Sequence, residues 1–222
     1  MDHLQNELKK EFQIERMILF SDAVFAIALT LLVIDLRVPA LPKEVATDGK
    51  LLEALNELIP KFFGFFVSFL FIGSFWLIHH RLFGYVVNYD NRLLVLNLVF
   101  MLSIVLMPFS TAFFSEYFLR GLKTPFILYS LNILFLGVMN TILWLYVGSP
   151  KQKLNEGLKP PVVRYYIIRS VIMPVIFVAW TGANAALRPK YSLFIVLALA
   201  IVMRRVVATL KRQMKSRLAQ TN

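Results

Sequence analysis

The sequence predicts an all-α, polytopic membrane protein with six transmembrane helices, and three observations carry that prediction. Of its 222 residues 58% are hydrophobic and 17% charged, whereas soluble domains run at roughly 45–50% and about 25%. Six separate stretches supply, or nearly supply, the apolar residues, about 20 each, that cross about 30 Å of hydrocarbon. No period-two alternation of the kind that marks a half-buried strand is present, and neither an internal repeat of the six stretches nor a low-complexity segment interrupts them. Composition also excludes function classes. Without a single Cys the chain has no disulfide, thiolate zinc site, iron–sulfur cluster or cysteine nucleophile. The net charge of +11 belongs with membrane flanks rather than nucleic acid, whose binders do not carry so much apolar surface.

The first span runs from about Met17 to Leu36 and is broken by Asp22 and Asp35. The second, Pro60 to Ile78, is dense in Phe and closes on Trp76, His79, His80 and Arg81, a polar and aromatic end suited to an interface. The third, Leu93 to Phe114, and the fourth, Pro125 to Val147, are free of charge. The fifth, Val163 to Leu187, carries Arg164 and Arg169 near its start and Pro174 inside, where a kink is expected. In the sixth only Tyr191 to Met203 is uncharged, so Arg204 and Arg205 must snorkel or the span must extend beyond them.

Orientation follows from the basic residues. Met1 to Glu15 is charged and lacks a small-residue cleavage site, so the N-terminus is expected to stay cytoplasmic. With Arg169 assigned to its span and omitted, connections on the N-terminal side hold fifteen Lys and Arg, and those on the other side hold eight. Six spans with both termini inside satisfy that asymmetry. The basic stretch from Arg204 to Arg217 is expected to continue the last helix into the cytoplasm and touch anionic headgroups. Outside, the connection Arg37 to Ile59 carries Leu51, Leu52, Leu55 and Leu58 at helical spacing, which fits either a short interfacial helix or a capped loop.

Ionisable groups inside a membrane are costly, so Arg16, Asp22 and Asp35 need partners. At about 100° per residue, Ala23, Leu31 and Ile34 fall within about 40° of Ile27, while Asp22, Phe25, Leu29 and Leu32 fall on the reverse side. Asp22 must therefore meet donors from other helices; the candidates are Arg16, Trp76, His79, His80, Asn91 and Asn97.

The string from Arg16 to Leu32, with Phe20, Ser21 and Asp22 at its centre, resembles the Arg-x-x-x-Phe-Ser-Asp signature of the transmembrane protein 175 family, potassium channels of lysosomes and many prokaryotes. The likeness continues through Phe75-Trp76, His79-His80-Arg81, Phe83, Asn97 and Pro108-Phe109. The resemblance implies a homotetramer whose first helix lines a central pore, with potassium as the permeant ion and no cofactor. It places the first constriction at Ile27, later rings at Leu31 and Ile34, and a threonine ring at Thr30; the helical wheel reaches the Ile27, Leu31 and Ile34 stripe by itself. Arg16, Phe20, Ser21, Asp22, Trp76, His79, His80 and Asn97 then form the signature network. Residues 1–210 are the channel domain and 211–222 a basic cytoplasmic tail, in a protein expected in a prokaryotic plasma membrane among lipids and other copies of itself.

The chain lacks a Thr-Val-Gly-Tyr-Gly carbonyl filter, so selectivity has to arise elsewhere. Rings of Ile and Leu can strip part of an ion's hydration shell and can close by dewetting, which makes filter and gate coincide. The plainer reading of such a stripe is helix packing. Asp22 and Ser21 fit a hydrogen-bond network better than an ion site. Adjacent His79 and His80 point about 100° apart and make a poor metal pair; one of them is expected to meet Asp22 or Arg16. Asp35 fits a cation-concentrating mouth or an interfacial cap. The competing function is a proton-coupled secondary cation transporter working through Asp22 and a histidine, against which stands the lack of repeats and of Gly or Pro in the first helix. No suitably placed His accompanies Ser21 and Asp22, and no metal-ligand set is visible, so an enzyme is not expected.

Overall fold

The computed structural model describes the backbone of residues 2–42, 44, 46–117, 120, 122–186 and 189–219, with side chains at 2–4, 6, 173, 181, 183–186 and 189–200 outside the description. Lys43, Arg188 and the Leu187 end of the fifth span thus lie outside the described residues.

Among the described residues eight α-helices follow in order: α1 Asp2–Leu31, α2 Asp48–Glu57, α3 Ile59–Phe83, α4 Asn91–Val105, α5 Met107–Tyr117, α6 Lys123–Val147, α7 Pro160–Ala186 and α8 Pro189–Ala219. Among the described residues five stretches are long and apolar enough to cross a membrane: 7–35, 59–83, 91–117, 123–147 and 160–180. The chain is an all-α integral membrane protein. Its apolar exterior agrees, with Leu70 and Phe109 more than half exposed, as hydrocarbon tolerates and water does not.

Two prolines behave differently from each other. The third span, expected as one helix, divides at Leu106 into α4 and α5, because Pro108 has no N–H to offer and its ring crowds the preceding turn. Bonds from Leu106 N to Leu102 O (3.1 Å) and from Ser110 N to Leu106 O (3.0 Å) carry the chain through the joint. Pro174, where a kink is expected, sits inside α7, which continues through it as one helix. Its ring lies in the space that a Cβ on Gly137 of α6 would fill, so the absence of a side chain there lets α6 and α7 close around the proline.

Beyond the spans, the first helix begins fifteen residues before Met17, at Asp2, and α8 runs unbroken across position 210. At about 1.5 Å per residue its 31 residues reach about 46 Å, longer than the hydrocarbon, so the last span and the basic stretch are one rod. Leu51, Leu52 and Leu55 lie on a helix, α2, with Leu58 as its C-cap; Thr47 accepts from Lys50 N (3.4 Å) at the N-cap, and no residue of the helix is buried. The only β feature among the described residues is an isolated bridge between Val86 and Asn155 that ties the α3–α4 and α6–α7 connections together.

Packing centres on α6, which contacts α4, α5 and α7; α7 then carries α8, and α1 lies against α3 and α4. Ile72, Leu93, Phe100, Ile104, Ile133, Leu136 and Trp144 are fully enclosed at that centre. Buried hydroxyls clip three helices near one level. Thr111 Oγ1, whose hydrogen goes to Met107 O (2.7 Å), is hydrogen-bonded to Ser68 Oγ (2.7 Å), which is hydrogen-bonded in turn to Tyr129 Oη (2.7 Å). Such pairs replace contacts with water that the hydrocarbon cannot supply.

Candidate functional site

The first helix has two unlike faces. Ile14, Met17, Ser21, Phe25, Ala28 and Leu32 recur every three or four residues and are buried against α3 and α4. Across the helix Ile27 is 58%, Leu31 41% and Ile34 65% exposed, beside exposed Phe20, Ala23 and Thr30. Thr30 Oγ1 donates to Ile27 O (2.8 Å), so its proton is used within the helix. The stripe does not keep α periodicity to its end. Leu32–Asp35 is a 3-10 turn, which advances about 120° per residue, so Ile34 is turned by about 60° from where an α-helical wheel puts it.

The buried face is anchored by a chain of hydrogen bonds across three helices. Ser21 Oγ donates to Met17 O (2.9 Å) and accepts from Asn97 Nδ2 (2.9 Å). Asn97 Oδ1 faces His79 Nε2 at 2.9 Å, and since that oxygen only accepts, the nitrogen carries the proton. His79 itself lies among Phe83 (ring centroids 4.3 Å), Phe100 (5.4 Å) and Phe25 (5.6 Å). A buried polar chain in which each donor meets an acceptor is affordable inside hydrocarbon and holds α1 in one rotation relative to α3 and α4.

Of the six candidate partners of Asp22 it is Trp76 that meets it, in place of the expected histidine. Trp76 Nε1 donates to its Oδ1 at 2.8 Å, and neither histidine reaches it by a hydrogen bond. One turn of α3 separates Trp76 from His80, and the two rings are 5.5 Å apart, so His80 follows Trp76 to the protein's edge while His79 points inward. Arg16 is exposed with its guanidinium 5.9 Å from the Phe12 ring, and among the described residues it forms no ion pair with Asp22. The structure therefore brings together Ser21, Asn97 and His79 as one unit, Asp22 and Trp76 as a second, and leaves Arg16 and Phe20 outside both. Asn91, the remaining candidate partner of Asp22, is an exposed first-turn residue of α4.

Three further sets of side chains support this arrangement. Phe25, Phe83 and Phe100 enclose His79, but an aromatic in so Phe-rich a chain carries no positional signal. Asp90 caps α4 by accepting from Leu93 N (2.7 Å) and also accepts from Tyr146 Oη of α6 (2.6 Å). An Asp just before an apolar run was legible as an N-cap. On the other side of the membrane Lys61 Nζ and Glu116 Oε2, 3.0 Å apart, join α3 to α5. Among the described residues no group of three or more His, Asp or Glu could hold a metal ion.

Comparison with known proteins bears on this arrangement. The profile of the family described as "Endosomal/lysosomal potassium channel TMEM175" matches residues 16–108, which include both faces of α1 and every member of the two polar units. A potassium channel of Streptomyces collinus is 34% identical over 152 residues, 68% of this chain and 72% of that one. The chicken (Gallus gallus) endosomal/lysosomal proton channel TMEM175 is 40% identical over 108 residues, and this chain spans 21% of its length. In three dimensions the crystal structure of a lysosomal potassium-selective channel TMEM175 homolog from Chamaesiphon minutus matches with a TM-score of 0.68 over 88% of this chain and 98% of that one. At 24% identity that likeness speaks for the fold.

Proposed function

The chain belongs to the TMEM175 family, which is an ion-channel family and not an enzyme class, and from that premise we propose that it is a potassium-selective cation channel. Four copies surround a central pore, and α1 of each supplies the wall. The observation that carries this reading is the division of α1 into a polar-anchored buried face and an opposite apolar face that its own subunit leaves uncovered along the span. A helix pinned on one side and bare on the other is suited to a pore shared among copies. Ile27, Leu31 and Ile34 then form successive constrictions with Thr30 at their border. An ion passing them sheds part of its hydration shell, which potassium gives up more cheaply than sodium, and the same rings close by dewetting. Asp22 with Trp76, and Ser21 with Asn97 and His79, keep the stripe aimed at the axis and do not bind the ion. Both termini face the cytoplasm of a prokaryotic cell, as the basic asymmetry favours.

A second reading draws on the vertebrate relatives named proton channels and on a histidine enclosed beside α1: protons move in place of potassium, or in exchange for it. One experiment separates these. The purified full chain is reconstituted in liposomes, and flux is followed with potassium, sodium or protons as the only gradient. Potassium flux without a counter-gradient, exceeding sodium flux and made larger and less selective by Ile27→Asn, is the expected result. Flux that requires an opposing proton gradient means a coupled carrier, and unchanged permeation in Ile27→Asn removes the stripe from the pathway.

A further inference from the structure

Away from α1, helices α3, α7 and α8 flank a half-open cavity of about 540 Å³ whose lining includes apolar Phe71, Phe75, Ile172 and Ile176 together with Arg169 and Arg204. We propose that this cavity binds one anionic phospholipid of the surrounding bilayer, acyl chain against the apolar wall and phosphate on the two arginines. The volume lies within the roughly 300–1,000 Å³ of ordinary small-molecule sites.

Depth supports the assignment. Arg169 is seventeen residues from the Ala186 end of α7, and Arg204 fifteen from the Pro189 start of α8. At about 1.5 Å per residue both lie about 22–26 Å from the Ala186 and Pro189 ends, about 4–8 Å short of the far side of a hydrocarbon layer about 30 Å thick, a gap that a snorkelling arginine side chain spans to reach the inner headgroups. Ser74, another lining residue, sits fifteen residues from the Ile59 start of α3 and reaches the same depth from its own helix. Charge selects the occupant. No carboxylate lines the cavity, and neither arginine forms an ion pair among the described residues. A second copy of a chain with net charge +11 brings more cations than anions, whereas the inner leaflet of a membrane offers phosphate and an alkyl chain in one molecule. Arginine is the side chain suited to phosphate, which it meets through two parallel N–H donors.

The test uses the full chain in detergent, with native mass spectrometry of its complexes with phosphatidylglycerol and with phosphatidylcholine of the same acyl composition. Phosphatidylglycerol is expected to bind more tightly. Since each basic group near a membrane surface favours an anionic lipid by about fivefold, Arg169→Gln with Arg204→Gln is expected to lower that preference by about thirtyfold. Ile176→Trp, which fills the cavity, is expected to weaken both lipids alike. Equal affinity for the two lipids, or a preference that survives the double substitution, overturns the proposal. The unaltered protein supplies an independent measurement: phosphatidylglycerol carrying a photoreactive diazirine in its acyl chain is expected to label peptides of α3, α7 and α8. Labelling confined to other helices, or crosslinks from these peptides to a neighbouring copy in place of lipid, also overturns it.

Discussion

Replacing Asn97 with Ala tests whether the buried polar chain or apolar contact holds α1 against α3 and α4. Asn97 is 3% exposed and its partners Ser21 and His79 are 0% and 1% exposed, so water cannot replace what the substitution removes. Two bonds of 2.9 Å are lost. Between transmembrane helices such bonds average about 0.6 kcal/mol and reach about 1.7, so the pair contributes about 1–3 kcal/mol. Ser21 keeps its donation to Met17 O, but the His79 N–H is left facing apolar side chains, which adds about 1–3 kcal/mol. The expected loss is about 2–5 kcal/mol. His79→Phe in the same background removes the orphaned donor and keeps a ring among Phe25, Phe83 and Phe100, so the double variant should cost about 1–3 kcal/mol less than the two singles added together. Unfolding by SDS from mild detergent, followed through the fluorescence of the three tryptophans, measures all four proteins. Additivity to within about 0.5 kcal/mol would refute the reasoning, because it would mean that the two side chains do not act on each other.

Three further outcomes follow from contacts elsewhere. Gly137→Ala puts a methyl where the Pro174 ring and Ser170 O already sit, neither of which can rotate away, and should destabilise by about 1–3 kcal/mol in the same unfolding assay. Gly64→Ala meets chiefly the Ser115 hydroxyl, a buried oxygen without a hydrogen-bond partner among the described residues, with Ser115 Cβ 3.2 Å away; its cost should therefore be smaller and should fall further when Ser115→Ala is added. Trp76→Phe leaves the Asp22 carboxylate without its 2.8 Å donor and should destabilise by about 1–3 kcal/mol, while Trp76→Phe with Asp22→Asn recovers part of that loss as a higher melting temperature in detergent.

What the sequence by itself determined is whatever depends on composition along one helix. Charge-free runs of twenty residues have few ways to satisfy their backbone except as helices in a bilayer, so the spans were legible without any tertiary contact. The two faces of α1 were legible for the same reason: a period of 3.6 separates Ile27 and Leu31 from Phe25 and Leu32 whatever packs around them. At Ile34 a 3-10 turn after Leu31 changes the angle per residue, and no residue type there announces it, but the shift of about 60° carries Ile34 only from about 20° on one side of Ile27 to about 40° on the other, so it stays on the exposed stripe. Only the tertiary structure decided who meets Asp22. Six polar side chains were candidates in the sequence, with a histidine favoured. The choice of Trp76 over His79 rests on the rotation of α3, which turns one toward Asp22 and the next toward Asn97. The prolines show the same limit. Pro108 and Pro174 look alike in an apolar run, but Pro174 has Gly137 on the facing helix to receive its ring, and α7 continues unbroken where α4 ends. Pairing across helices depends on depth and rotation, and both are set by packing between segments that are far apart in the chain.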